Sequence, residues 1–253
     1  MAKRRVNTEG LNLRQTPQIE DNNILKALPL AQEVDVLEQP PGQRFVEVQT
    51  NLNGELLRGF VSADLLREPA SPLKEALVQE GVKQWLRFGQ GTGQEDVAPF
   101  FRFVGEFWEA IGEHLDGRNR DVPWSAAFIS FIARQAGYVG FKFASAHSVY
   151  IRDAKRKRRD ADATAPFWLF RLDEHKPQIG DLICKRREAN ISFDNLPADF
   201  KSHTDVVVEL RDNVVRAMGG NVSQSVSITT YALDGNGFVR PESNVFAIMR
   251  NNR

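Results

Sequence analysis

The sequence predicts an α+β fold in which a helical lobe is followed by an antiparallel sheet, with a small all-β barrel preceding both. Three observations lead to this prediction. Short segments of alternating apolar and polar residues, separated by turn residues, fill the chain from residue 6 to 68. Apolar residues then recur at helical spacing between residues 73 and 137, and alternating segments return between residues 167 and 250. Helices and strands in separate runs are typical of α+β proteins.

The composition is that of a folded protein with a sizeable core. The chain has 253 residues, 42% of them hydrophobic, and its acidic and basic residues balance to a formal net charge of zero. This balance gives no general electrostatic reason to bind nucleic acid or a membrane surface. The single cysteine, Cys184, excludes an intrachain disulfide and a cysteine-rich zinc site, and we expect neither a metal nor another cofactor.

No segment has the features of a membrane span or of a secretory signal. Met1–Arg5 is interpreted as a short basic tail, and no apolar stretch follows it. No run approaches the length needed to cross a bilayer. We therefore expect a cytoplasmic protein, or one exported by a non-classical route.

The chain is predicted to comprise two domains joined by a short linker. Residues 1–68 form the all-β domain, which includes a turn at Pro40–Gln43 and a hairpin signal at Leu52–Glu55. Residues 69–73, with two prolines, form the linker. Residues 74–253 form the second domain.

Three helices are predicted at the start of the second domain, over residues 73–88, 97–115 and 125–135. Gly89–Gly93 lies between the first two. We interpret it as a flexible connection rather than a phosphate-binding loop, because no Lys-Ser/Thr pair follows it and no strand precedes it. Ser145 is predicted to cap a further helix.

Ser125 stands at the start of the third helix, directly after Pro123 and Trp124. Two interpretations follow. Serine is a favoured helix cap, and this interpretation is the more common one for an isolated serine. A hydroxyl at the positive end of a helix is also well placed to develop the negative charge of an activated nucleophile.

Four segments in one order resemble a known family. Pro123–Gly137 (PWSAAFISFIARQAG) is similar to the PWCAAFxxWxxxxAG motif of the CHAP family, the papain-like cysteine/histidine-dependent amidohydrolases and peptidases related to NlpC-type cell-wall peptidases. Three later segments resemble the first core strand, the strand that begins with the catalytic histidine, and the segment with the third catalytic residue. They are residues 177–183, 203–208 and 218–227. The serine-containing motif and the segment Ala146–Ile151 together also resemble a bacterial domain family of unknown function, whose members carry serine at this position.

The resemblance implies a papain-like fold with a site formed by Ser125, His203 and Asn221. Ser125 takes the place of the family's cysteine nucleophile, His203 is the implied general base, and Asn221 is implied to orient the imidazole. The implied reaction is hydrolysis of an amide bond in peptidoglycan or a peptide-like substrate. A serine hydroxyl is far less acidic than a cysteine thiol. Three outcomes stay open: an active serine nucleophile, a catalytically inactive domain kept for binding, or a cysteine replaced by engineering.

Four further residues are assigned to substrate binding: Trp124, His147, Asp205 and Asp121. His147 recurs in the serine-bearing relatives, which makes it a candidate for the substrate groove, although a structural, partly buried histidine is the favoured interpretation. Asp205 is also a rival to Asn221, since the period of two along a strand places it on the same face as His203.

Two segments suggest which molecules the protein binds. Lys155–Arg159 is a basic run without interleaved aromatic residues, so we interpret it as a solvated helix end rather than a nucleic-acid site. The minor alternative is that it binds an anionic group of the substrate. The strand segments before residue 68 resemble bacterial SH3 domains, which implies a role in binding cell-wall peptide or a protein partner. A purely structural role is equally open.

Overall fold

The computed structural model describes residues 2–38, 42–241 and 244–253. The chain divides into two compact units, Met1–Pro72 and Leu73–Arg253. None of the helices in the described ranges is long and apolar enough to cross a membrane.

The described residues of the first unit form a seven-stranded antiparallel sheet. Its strands are β1 (Ala2–Val6), β2 (Gly10–Arg14), β3 (Ile24–Pro29), β4 (Glu33–Glu38), β5 (Phe45–Leu52), β6 (Glu55–Ser62) and β7 (Leu66–Arg67). Their order in the sheet is β3-β2-β6-β5-β4-β1-β7.

The interpretation of the first residues as a basic tail is wrong, because β1 lies between β4 and β7 in this sheet. Its charges do not prevent pairing, since Lys3 and Arg5 both form ion pairs with Glu33 on the neighbouring strand. The predicted turn at Pro40–Gln43 lies partly outside the described residues.

The turn between β5 and β6 is the hairpin that the sequence predicts. Asn53 and Gly54 have positive φ values of 55° and 88°, which the favoured two-residue turn requires, and Leu52 pairs with Glu55. The core of this unit consists of aliphatic side chains from the strands: Val6, Leu11, Leu13, Leu28, Val34, Val36, Val46, Val48 and Val61. The SH3-like assignment of the unit stays a prediction.

The second unit combines helices with a six-stranded antiparallel sheet in its described residues, which confirms the α+β class. The helices are α1 (Pro72–Arg87), α2 (Phe100–Glu109), α3 (Ser125–Gln135) and α4 (His147–Arg159). The strands are β8 (Phe167–Phe170), β9 (Leu182–Arg186), β10 (Ser202–Arg211), β11 (Val214–Val222), β12 (Ser225–Ala232) and β13 (Val245–Asn251). Their order is β12-β11-β10-β9-β13-β8.

The ends of the helices follow local chemistry. Helix α2 is shorter than predicted because Pro99 disfavours helical backbone at Ala98, and Gly112, at a φ of 83°, lies just beyond its end. Helix α3 has the predicted bounds, and Gly137 follows it with a φ of 88°. Helix α4 has no side-chain cap, so the capping role predicted for Ser145 is wrong.

Aromatic side chains fix α3 against α2. The ring of Phe107 packs against the rings of Trp124, Phe128 and Phe131, at centroid distances of 5.6, 5.5 and 4.9 Å. Beneath them, β11 approaches α3 so closely that a Cβ at Gly220 would lie 2.5 Å from that of Phe128. Helix α3 packs on β10 and β11, and α4 packs on β8 and β10. Strand β10 therefore lies under both helices.

Phe107→Ala should destabilise the second unit by about 3–5 kcal/mol, because Phe107 is fully buried and its loss leaves a cavity between α2 and α3. Urea unfolding followed by tryptophan fluorescence measures this unit alone, since all four tryptophans lie in it: Trp85, Trp108, Trp124 and Trp168. Val139→Ala, at an exposed position, is the control and should change little. Equal midpoints for the two variants would contradict the assignment of Phe107 to this core.

Candidate functional site

Ser125 is the first residue of α3, and its hydroxyl contacts the first residue of α4. The Oγ atom of Ser125 lies 2.7 Å from Nε2 of His147. The N-cap position belongs to Trp124, and the cap makes no side-chain hydrogen bond. The hydroxyl of Ser125 is therefore directed at an imidazole and does not cap its own helix.

The other ring nitrogen of His147 faces two hydroxyl groups. Nδ1 of His147 lies 3.0 Å from Oγ1 of Thr204 on β10 and within hydrogen-bond distance of the Tyr150 hydroxyl. The hydroxyls of Tyr150 and Thr204 are themselves 3.0 Å apart. Each hydroxyl can donate or accept, so this pair can hold the proton of His147 on Nδ1 and leave Nε2 free to accept the proton of Ser125.

The site is almost closed to solvent. Ser125 is 3% exposed and His147 is 5% exposed. Burial lowers the pKa of His147 well below its usual range, and neighbouring His203 lowers it further, whereas Asp205 acts in the opposite direction. The imidazole of His147 is therefore neutral near pH 7. Burial likewise raises the pKa of Tyr150, which keeps the phenol protonated.

A second buried cluster surrounds Asp205 on β10. Its Oδ1 lies 2.7 Å from Nε2 of His203, and its Oδ2 lies 2.8 Å from Nζ of Lys185 and accepts a hydrogen bond from Tyr231. Burial alone would raise the pKa of this carboxyl group, but His203 and Lys185 lower it below its usual range. Nδ1 of His203 lies 3.3 Å from the guanidinium of Arg187, which can only donate. When Nδ1 accepts from Arg187, Nε2 is the ring nitrogen that donates to Asp205.

Glycine at position 219 lets β11 lie close to this cluster. A Cβ at Gly219 would come within 1.9 Å of Oδ1 of Asp205 and 2.8 Å of Nε2 of His203. Moving one flexible side chain would not relieve the contacts with both Asp205 and His203. The buried pair of His203 and Asp205 therefore requires glycine here.

The pairing of Ser125 differs from the sequence prediction. The two ring nitrogens of His203 contact Asp205 and Arg187, and in the described residues Ser125 has its hydrogen bond with His147 instead. The rings of the two histidines are neighbours, with centroids 5.2 Å apart. The physical reason is that α4 inserts His147 between α3 and β10. The sequence indicates His147 as a candidate for the substrate groove or, as the favoured interpretation, as a structural histidine, and does not pair it with Ser125.

Asn221 does not take the orienting role within the described structure. It lies near the end of β11 with a φ of 55°, and His203 has Asp205 as its partner on the same strand. The contact between His203 and Asp205 is the one that the period of two along a strand predicts.

The remaining predicted site residues lie apart from this pairing. Trp124 is 2% exposed and donates its indole N–H to Oε2 of Glu95 at 2.6 Å, so it belongs to the aromatic core and not to an open groove. Asp121 is exposed on the loop before α3. Cys184 is buried in β9, where burial raises the pKa of its thiol, consistent with its interpretation as a small apolar residue. In the described ranges no group of three or more His, Cys, Asp or Glu side chains is arranged to hold a metal ion.

Sequence reasoning missed Thr204, Tyr150 and Lys185. A signal existed for Tyr150, which lies one helical turn after His147 and so shares its face of α4. Thr204 and Lys185 gave no such signal, because alternation along a strand does not reveal which helix lies above it.

Residues 82–252 match a family described as "Uncharacterized protein conserved in bacteria (DUF2272)". No curated protein matches the chain. Two solved structures from Trichomonas vaginalis are distantly similar, each at 12% identity and a TM-score of 0.33. For NlpC2 the alignment covers 97% of this chain and 71% of that chain, and for NlpC1 it covers 99% and 70%. The matched family segment contains both Ser125 and His147.

Because His147 is buried and neutral, the second unit should lose stability as the pH falls below about 6.5, the usual histidine pKa. Below that pH the unfolded chain binds a proton that the folded chain does not. This stabilisation is complete above about pH 6.5 and is lost toward the lowered folded pKa. The loss approaches about 1.4 kcal/mol per pH unit.

His147→Gln should remove this slope. The measurement is urea unfolding of both proteins by tryptophan fluorescence between about pH 7.5 and 5. Asp205, whose pKa is lowered, contributes to the pH dependence only below about pH 4, outside this window. Parallel curves for wild type and variant would contradict a neutral, buried His147.

Proposed function

The chain belongs to the bacterial family DUF2272 through residues 82–252, and we propose that it hydrolyses amide bonds with Ser125 as nucleophile and His147 as general base. The observation that carries this proposal is the 2.7 Å contact between Oγ of Ser125 and Nε2 of His147 at the first residue of α3. A hydroxyl and a neutral imidazole at this distance form the nucleophile–base unit of acyl transfer.

The proposed reaction has two stages. Oγ of Ser125 attacks the carbonyl carbon, and Nε2 of His147 takes its proton, so that an oxyanion and an imidazolium form together. The imidazolium then protonates the leaving amine as the C–N bond breaks, which leaves an ester on Ser125. Water, deprotonated by His147, hydrolyses this ester and regenerates the hydroxyl.

The surroundings of the pair support these steps. The hydroxyl oxygens of Thr204 and Tyr150 can accept a hydrogen bond from Nδ1–H while His147 is charged. The backbone N–H of Ser125, in the first turn of α3, is available to an oxyanion, and one such donor contributes on the order of 3 kcal/mol. Burial and the nearby His203, Arg187 and Lys185 disfavour the imidazolium of His147, and the carboxylate of Asp205 offsets part of this penalty by electrostatic attraction.

His203 is the competing base, with Asn221 as its partner, and the resemblance to CHAP enzymes favours it. Its ring lies next to that of His147, but both of its nitrogens already have partners in Asp205 and Arg187. Reaching Ser125 would require the ring to leave a buried carboxylate. The proposal therefore assigns the base to His147 and a supporting role to His203.

Peptidoglycan stem peptides are the proposed substrate, on the basis of the resemblance to the CHAP family. The first unit is proposed to bind cell-wall peptide or a protein partner, on the basis of its resemblance to bacterial SH3 domains. Neither assignment is needed for the chemistry of Ser125 and His147.

A second candidate function, binding without catalysis, is favoured by one observation. Ser125 and His147 are only 3% and 5% exposed, so a substrate carbonyl has little access in this conformation. A domain that keeps its fold and recognises a cell-wall or protein ligand would have the same arrangement.

A fluorophosphonate probe should label Ser125 in the wild type and should not label Ser125→Ala, as read by peptide mass spectrometry. We expect His147→Gln to slow labelling by about a hundredfold or more, because it removes the base. His203→Gln should slow labelling much less, and unfolding curves of each variant control for folding. If His203→Gln abolished labelling and His147→Gln did not, His203 would be the base.

Purified peptidoglycan should release soluble muropeptides with wild-type protein and none with Ser125→Ala, as measured by mass spectrometry. Ser125→Cys supplies a more acidic nucleophile in the same position. Inactivity of all three proteins, with wild type also unlabelled by the fluorophosphonate, would support binding without catalysis. Activity of the cysteine form alone would indicate a site that lost its nucleophile.

A further inference from the structure

The exposed face of α4 borders a cavity of about 870 Å³ that is separate from the contact between Ser125 and His147. We propose that this cavity binds a small phosphate monoester whose organic part is apolar or aromatic. Its volume lies in the range of small-molecule pockets, about 300–1,000 Å³.

The two sites lie on opposite faces of α4. The residues on its inner face are buried: His147, Tyr150, Ile151 and Ala154. The residues that line the cavity recur at helical spacing on the outer face: Val149, Arg152, Arg156 and Arg159. A ligand in the cavity therefore contacts the opposite side of the helix from Ser125.

The cavity has an excess of positive charge that its own acids do not neutralise. Six basic residues line it, Lys142, Arg152, Lys155, Arg156, Arg158 and Arg159, against two acidic residues, Asp153 and Glu174. Three of the arginines form ion pairs, with Asp153, Glu174 or the nearby Asp160. In the described part of the chain the other three, Lys142, Arg152 and Lys155, have no ion pair. A doubly charged phosphate fits such a set of free cations.

Part of the cavity wall is apolar and is hydrogen-bonded to the same helix. Phe193 and Leu196 line it. Nζ of Lys155 donates a hydrogen bond to the carbonyl oxygen of Phe193 at 2.5 Å and lies 5.0 Å from its ring centroid. Nη1 of Arg152 donates to the carbonyl oxygen of Ala198 at 2.8 Å. These bonds leave other guanidinium N–H groups of Arg152 for a ligand, beside an apolar surface.

The combination of free cations and an apolar wall selects the ligand class. Inorganic phosphate would use the charges alone, and a neutral aromatic molecule would use the wall alone. A phosphate monoester with an aromatic group uses both, and we expect it to bind more tightly than either part.

The test uses 1-naphthyl phosphate and follows its fluorescence on titration with the full chain, with inorganic phosphate and 1-naphthol as comparison probes. We expect saturable binding of the ester that is tighter than that of either comparison probe. Lys142→Gln/Arg152→Gln should raise Kd about tenfold or more, since it removes two charged contacts.

The matched control is Lys83→Gln/Arg102→Gln, which also removes one lysine and one arginine charge, but from α1 and α2. Its Kd should stay within about twofold of the wild-type value. Ser125→Ala should also leave Kd unchanged, so this result is independent of the proposed hydrolase. The proposal is overturned if no saturable binding occurs at about 1 mM ester, if the control pair weakens binding equally, or if 1-naphthol binds as tightly as the ester.

Discussion

The hydrogen bond between Ser125 and His147 joins the first residues of two helices, and the second unit is arranged so that these two ends meet. Helix α3 is fixed by the aromatic rings around Phe107 and by its close approach to β11 at Gly220. Helix α4 is fixed over β10, where Thr204 meets the second nitrogen of His147. Since both polar groups are buried, loss of either partner would leave the other unsatisfied, which is far more costly than loss of an exposed hydrogen bond.

Two buried polar networks of different character lie side by side in this unit. The one around His147 consists of neutral groups, with hydroxyls on both sides of the imidazole. The one around Asp205 is ionic, and the carboxylate is balanced by Lys185 and hydrogen-bonded by His203 and Tyr231. Burial is the main reason that His147 stays neutral, and the nearby carboxylate of Asp205 acts in the opposite direction without outweighing it.

Local patterns in the sequence predicted local features well. The turn at Asn53 and Gly54, the bounds of α3 and the common face of His203 and Asp205 each follow from a few consecutive residues. Predictions failed where residues outside the segment determine its structure. The tail proposed at residues 1–5 is a strand because β4 and β7 pair with it.

The sequence by itself determined that Ser125 begins a helix, that His203 lies near the start of a strand with Asp205 on the same face, and that helices precede the sheet of the second unit. Only the tertiary structure decided which histidine meets the hydroxyl. Two histidines, at positions 147 and 203, lie within reach of the same region, and their ring centroids are 5.2 Å apart. Which ring faces Ser125 depends on how α4 packs against α3 and β10. This packing depends on surfaces that come from distant parts of the chain, so the spacing of residues along the sequence does not predict it.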